Sequence, residues 1–301
     1  MTNAEVRKAG AGAGVRAPVI ADRSRPEAGQ SRATKASRYC RVRHASQIWT
    51  GRIRGEHIEL FCEDIFALTS SRRAAPVAMI PLRGAALLAP VAPRTVLAVG
   101  NNYASPLGGG SVTHPVPGLY LKPPGAIIGH AQSISLPAGV GIVQVEGNMV
   151  VVISRRGKHI AESDAADHIL GVTCGNDISE RIWQRADLQW ARAKGADGVG
   201  PLGPVIATGL EIGDLAIETR INGRVEQRGS TAFMLNSAAA IIAYISRTMT
   251  LEPGDVIFTG SPGNPPTIAP GDHVEVEIEG VGVLANWIRP QPRREGAARP
   301  A

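Results

Sequence analysis

Glu146, Asn148 and Asp177 are the residues whose types and spacing point most directly to chemistry. Glu146 and Asn148 stand two apart at the head of an apolar run, Met149-Val150-Val151-Val152-Ile153. Side chains alternate along a strand, so both should leave the same face. Asp177 follows Gly175-Asn176 at the close of a second apolar run, residues 169–174. Two carboxylates and an amide oxygen carried on strand ends suit a hard divalent cation such as Mg2+.

Such donors need strands to hold them together, and the chain supplies many. Residues 39–43, 47–50 and 57–61 read as short strands, with Gly51 and Gly55 between the last two. Residues 76–93 read as a loop-like connector, punctuated by Pro81 and Pro90. A strand over 94–99 ends at Gly100, and strand-like segments recur at 119–121, 126–128 and 133–136. Asp164 is placed to cap a short helix reaching His168. The clearest helix spans 231–248, where Phe233, Met234, Ala238, Ile241, Ile242 and Ile245 keep helical spacing behind an N-cap at Ser230 or Thr231. Val274, Val276 and Ile278 alternate with Glu275, Glu277 and Glu279, the pattern of a strand with one wet face. With 35 glycines and 22 prolines, the composition favours short strands and turns over long helices. The expected class is α+β, sheet-rich with few helices.

Charge placement narrows the function. The net charge is +6, but residues 1–38 carry +5 and residues 289–301 carry +3, leaving −2 on the body. A nucleic-acid surface needs clustered basic residues, so no nucleic-acid partner is expected of the body. The N-terminal 38 residues, rich in Ala, Gly, Arg and Ser, and the last 13 read as disordered tails. No apolar stretch approaches the ~18 residues of a spanning helix, so no membrane partner is expected. Cys40, Cys62 and Cys174 have no metal-type spacing, and an odd, scattered set of thiols fits a reduced cytoplasmic setting.

Two other signals carry less. The glycine clusters at 10–14 and 108–110 do not join a strand to an amphipathic helix, as a dinucleotide loop requires. In Thr259-Gly260-Ser261-Pro262-Gly263, proline follows the serine where a nucleophile elbow would enter its helix.

A set of motifs resembles the fumarylacetoacetate hydrolase family. They are Asp177-Ile178-Ser179-Glu180-Arg181 with Gln184, Trp190 to Lys194 with Asp197, Pro201-Leu202-Gly203-Pro204, Ile221-Asn222-Gly223, Leu251-Glu252-Pro253-Gly254-Asp255, Thr259-Gly260-Ser261-Pro262 and Gly280 to Asn286. They occur in the family's order over residues 40–288. The resemblance implies a mixed β-roll catalytic domain over 93–288 behind a small β-rich N-terminal domain over 39–92, usually as a homodimer. It also implies Mg2+ or Mn2+ and a 2-oxo or 1,3-dicarbonyl carboxylate substrate, which is hydrolysed, decarboxylated or isomerised. Chelation would polarise the substrate oxygens and stabilise an enolate.

Position by position, the resemblance makes Glu146 and Asp177 metal ligands, with Asn148 where a second glutamate belongs. Lys194 matches a lysine that stabilises the enolate or moves a proton, and Gln184 one that positions water or substrate. Tyr103, Arg181 and Ser261 match substrate contacts. The chain departs from the pattern after Asn102-Tyr103, where the family's histidine and glutamate are replaced by Pro106 and Gly109. Neither can activate water, so the usual dyad is absent; His114, on the same loop, is a candidate substitute base. Two readings stay open: an enzyme with altered chemistry, and a catalytically impaired relative that binds or serves as a partner subunit.

Overall fold

The apolar run after Asn148 forms the strand Gly147–Ile153, and every residue of it is buried. Met149, Val151 and Ile153 enter one core with Ile217, Ile241, Ile245 and Ile278. Val150 and Val152 enter a second with Val96, Leu202, Ile206 and Phe258. A strand covered on both faces reads as a continuous apolar run, which is what the sequence has here. The structure is a computed structural model and describes residues 36–70, 74–104, 116–137 and 139–290. Pro106, Gly109 and His114 lie outside the described residues, as do most of both tails.

This strand sits within a 12-stranded sheet. Its antiparallel neighbours are Ile169–Asn176 and Val256–Phe258. Gly200–Thr208 follows Ile169–Asn176, while the parallel strand Val96–Gly100 and then Gly118–Lys122 follow Val256–Phe258. Ser37–His44 pairs with Gly200–Thr208, so the N-terminal hairpins Gln47–Arg54 and His57–Phe61 extend the same sheet. A 5-stranded sheet runs in the order Arg224–Ser230, Ala216–Ile221, His273–Ile278, Gly282–Pro290, Ser133–Leu136. In His273–Ile278 the valines and Ile278 are buried and the glutamates are half-exposed, as their alternation predicts. The fold is α+β, with few and short helices.

Three elements differ from expectation. The connector over 76–93 contains the strands Ala78–Pro81 and Ala86–Leu88, which pair with His57–Phe61 and Ser37–His44. Proline at the end of an edge strand does not interrupt a ladder, so Pro81 was a weaker stop than it looked. The helix expected over 231–248 is broken. Ser230 caps only the 3-10 turn Thr231–Phe233, and a new helix, Ala238–Ser246, starts behind Ser237, whose Oγ accepts from Ala240 N at 3.1 Å. Two capping serines seven residues apart mark two starts, which apolar spacing alone does not separate. The turn near Asp164 is 3-10 over Glu162–His168, with Ala161 at its N-cap position.

At Gly147 the 12-stranded sheet packs directly against the 5-stranded one. A Cβ there would run into Thr219 Oγ1 and crowd Val276. Gly147→Ala should therefore lower unfolding free energy by about 1–3 kcal/mol, the usual range for overpacking, read from denaturant melts. Burial pushes the Cys40 and Cys174 thiols up to about 12, while Cys62 is exposed. Native protein should react rapidly with a thiol reagent at Cys62 alone, and at all three after denaturation; a second fast thiol would contradict this packing.

Candidate active site

Adjacent strand ends bring the two predicted carboxylates together. Gly147 pairs with Asn176, so Glu146 and Asp177 lie just beyond the ladder and share it: Asp177 N donates to Glu146 O at 2.9 Å. Asn176 Oδ1 accepts from Glu146 N at 3.1 Å, which pins the backbone on the other side.

Asp177 is 1% exposed and is surrounded by donors. Lys122 Nζ donates to Oδ1 at 2.7 Å, Lys194 Nζ donates to Oδ2 at 2.7 Å, and the Tyr120 hydroxyl also donates to Oδ2. Burial alone would raise the Asp177 carboxyl, but the two ammonium groups outweigh it and hold the acid well below its ordinary range. Burial lowers the Lys122 ammonium, against the pull of Asp177, with Lys194 lowering it further. Burial, then the charges of Asp177 and Glu146, push the Tyr120 phenol well up, so it stays a donor.

Glu146 faces the other way, into a cavity of about 370 Å3 lined also by Tyr103, Gln144, Arg181, Gly260 and Ser261. Arg181 pairs with its Oε1, and Lys194 Nζ donates to its Oε2 at 3.3 Å. Lys194 thus bridges Glu146 and Asp177. Its own helix, Ala191–Gly195, packs it at 2% exposure behind the cavity wall.

Arg181 opens the helix Arg181–Ala186, whose N-cap Glu180 accepts from Trp183 N. One turn on, Gln184 Oε1 accepts from Arg181 Nη1 at 2.7 Å, while Gln144 Oε1 accepts from Arg181 Nε at 2.6 Å. Gln184 therefore orients the guanidinium. Ser261 Oγ accepts from the buried Gln227 Nε2 at 2.9 Å. Tyr103 pairs with Met234 in an isolated bridge, and burial pushes its phenol up.

Asn148 does something else. Its Oδ1 accepts from Gly260 N at 2.7 Å and its Nδ2 donates to Glu146 O at 3.0 Å, at 1% exposure. Both ends of the amide are committed to backbone. Lys122, Tyr120, Gln144 and Gln227 were not singled out from sequence. A signal existed for the first two: in Leu119-Tyr120-Leu121-Lys122, period two puts tyrosine and lysine on one face of a strand, an odd place for a lysine to be buried.

Residues 95–289 match the family model described as fumarylacetoacetate (FAA) hydrolase C-terminal. The chain belongs to this family. The mitochondrial oxaloacetate tautomerase of Rattus norvegicus is 38% identical over 237 residues, 74% of this chain and 76% of that protein. The crystal structure of 5-carboxymethyl-2-hydroxymuconate delta-isomerase from Mycobacterium smegmatis is 37% identical, with a TM-score of 0.77 over 84% of this chain and 100% of that one. Maleylpyruvate hydrolase from Sphingobium sp. SYK-6, solved with manganese(II) and pyruvate, is 25% identical, with a TM-score of 0.70 over 85% of this chain and 100% of that one. This FAA hydrolase family member thus has enzymes of isomerase, tautomerase and hydrolase type among its relatives.

The donor set does not fit the three-ligand cation site that the resemblance implies. Among the described residues, no three His, Cys, Asp or Glu side chains gather into a metal-holding group. The third donor would be Asn148, whose oxygen is on Gly260 N–H, and the Lys194 ammonium already joins the two carboxylates. Both carboxylates of the cluster are instead met by ammonium and guanidinium groups, and each lysine matters to it. Lys122→Met should cost about 3–5 kcal/mol of unfolding free energy, because it leaves the buried Asp177 charge short of a partner. Denaturant unfolding measures this, and a loss under about 1 kcal/mol would show Lys122 to be dispensable.

Proposed function

We propose that this protein catalyses keto–enol interconversion of a short 2-oxo dicarboxylate of the oxaloacetate type, in the cytoplasm and as a homodimer. One observation carries the reading: Glu146, a carboxylate on the wall of a small polar cavity, is hydrogen-bonded at once to Arg181 and to a buried lysine, Lys194. Tautomerisation moves one proton between carbon and oxygen and needs no activated water. Its demands are an acid–base group and positive charge near the enolate oxygen. Glu146 supplies the first, taking a proton from the carbon next to the carbonyl and returning it to the enolate oxygen, with the reverse path carrying enol to ketone. Arg181 and, behind it, Lys194 supply the second. Ser261 and Tyr103, which line the same cavity, would bind the substrate's carboxylate.

Hydrolysis is less well supported, because Pro106 and Gly109 occupy the positions at which the family's water-activating pair is expected. The tautomerase and isomerase among the relatives favour the same branch.

The decay of enol absorbance in freshly dissolved oxaloacetate tests the reading. The protein should accelerate it, and Glu146→Gln should lower kcat by about 10²–10⁴-fold, the usual worth of a general acid–base group, with KM changed far less. Parental rates in Glu146→Gln would remove Glu146 from the chemistry. No acceleration with any short 2-oxo diacid would favour the impaired relative that acts by binding.

A further inference from the structure

We propose that this site takes its oxo-carboxylate as a free anion, without a divalent cation, because Lys194 holds the place between the carboxylates and Asn148 has become a backbone clamp. The inference rests on the oxo-carboxylate reading above and concerns how the anion is held.

Asn148 joins two segments that shape the cavity. Its Oδ1 holds the backbone of residues 259–261 through Gly260 N, and its Nδ2 holds the carbonyl of Glu146. Only a side chain with both an acceptor and a donor can make the two bonds. A glutamate accepts but cannot donate, so it would leave the Glu146 carbonyl without this partner. The amide plane is set by these bonds, and swinging its oxygen toward a cation would release both.

The loop on the receiving end has little freedom to follow. Gly260 has φ +97, and a Cβ there would lie 2.9 Å from Asn102 Cβ and 3.2 Å from Val99 O. Asn102 Nδ2 also donates to Thr259 O at 2.8 Å, and Gln227 Nε2 donates to Ser261 Oγ at 2.9 Å. The segment is held from three sides. Asn148 therefore contributes rigidity to the cavity wall, a role distinct from ligation.

Charge points the same way. Two carboxylates, Glu146 and Asp177, are met by three cations, Lys122, Lys194 and Arg181, for a local balance of +1. An incoming divalent cation meets net repulsion and must displace the Lys194 ammonium from contacts at 2.7 and 3.3 Å. An incoming anion meets attraction, strengthened because the lysines are out of water. Arg181 presents that charge to the cavity.

Oxalate, a dianion with the paired oxygens of a 2-oxo-acid enolate, is the probe. It is titrated by calorimetry into the full chain in EDTA and, separately, in excess Mn2+. The expected result is saturable binding in EDTA, with a Kd within about threefold of that in Mn2+. Mn2+ alone should show no saturable binding tighter than about 1 mM, and Asn148→Glu should tighten it about tenfold or more. Oxalate binding that requires Mn2+, or micromolar Mn2+ binding by the parent, overturns the inference and leaves the oxo-carboxylate reading standing. Absence of oxalate binding under both conditions overturns the two together. The parental titrations decide the matter even where Asn148→Glu fails to fold.

Discussion

A carboxylate taken out of water is tolerable only if its charge is met, and Asp177 is the buried charge around which this molecule is arranged. It draws Lys122 from one strand, Lys194 from a short helix and Tyr120 from the first strand again. Tyr120 and Lys122 lie 57 and 55 residues before Asp177 along the chain, and Lys194 lies 17 residues after it. Fixing Asp177 therefore fixes the relation between a strand end, a sheet edge and a helix.

The sheet has to roll for this to happen. Gly118–Lys122 is four places along the sheet from Ile169–Asn176, the strand that delivers Asp177. At 4.7–4.9 Å per strand a flat sheet would hold them about 19 Å apart, far beyond a salt bridge. Direct contact between Lys122 and Asp177 means that the sheet closes on itself here, around the core of Val96, Val150, Val152, Leu202 and Phe258. Twist makes such curvature ordinary, and the apolar core on the inner side is the force that maintains it. The ion cluster then sits at the rim of that core, where the side chains change from hydrocarbon to charge.

The legible parts of the sequence were those written in short-range pattern. Alternation in residues 274–278 gave the correct strand and the correct wet face, and the run 149–153 gave a strand at once. Family motifs led to Arg181, Gln184, Lys194 and Ser261, and geometry gathers these around Glu146 and Asp177. Lys122 escaped because nothing local marks it as buried: its partner is 55 residues away, and a lysine at a strand end beside two prolines looks like a surface residue. Gln227 escaped for the same reason, being 34 residues from Ser261 on a strand with a largely exposed sequence. The break in the helix at residues 234–236 was hidden because Met234 and Leu235 are apolar, and the exit from the helix is set by bonds from Leu235 N and Asn236 N to the carbonyl and the side chain of Asn102. Pairings at long range are decided by topology, which spacing within one segment does not encode.

One exchange illustrates how such a site can shift its chemistry with little change in shape. Glutamate and asparagine differ by a methylene and a charge, yet at position 148 the amide bonds to backbone in two directions that an acid cannot both satisfy. On the proposal that the anion is taken without a metal, an amide at 148 spares the cluster one negative charge, and the lysines meet the two carboxylates that are present. The same replacement stiffens the wall that carries Ser261, since the Asn148–Gly260 bond is short and out of water. A residue that leaves the ligand set can therefore improve the preorganisation of the cavity, and preorganised charge is the main currency of enolate stabilisation. On this view the loss of a ligand at 148 and the retention of Arg181, Gln184 and Lys194 are not in conflict, because the second set supplies to an anion what the first would have supplied through a cation.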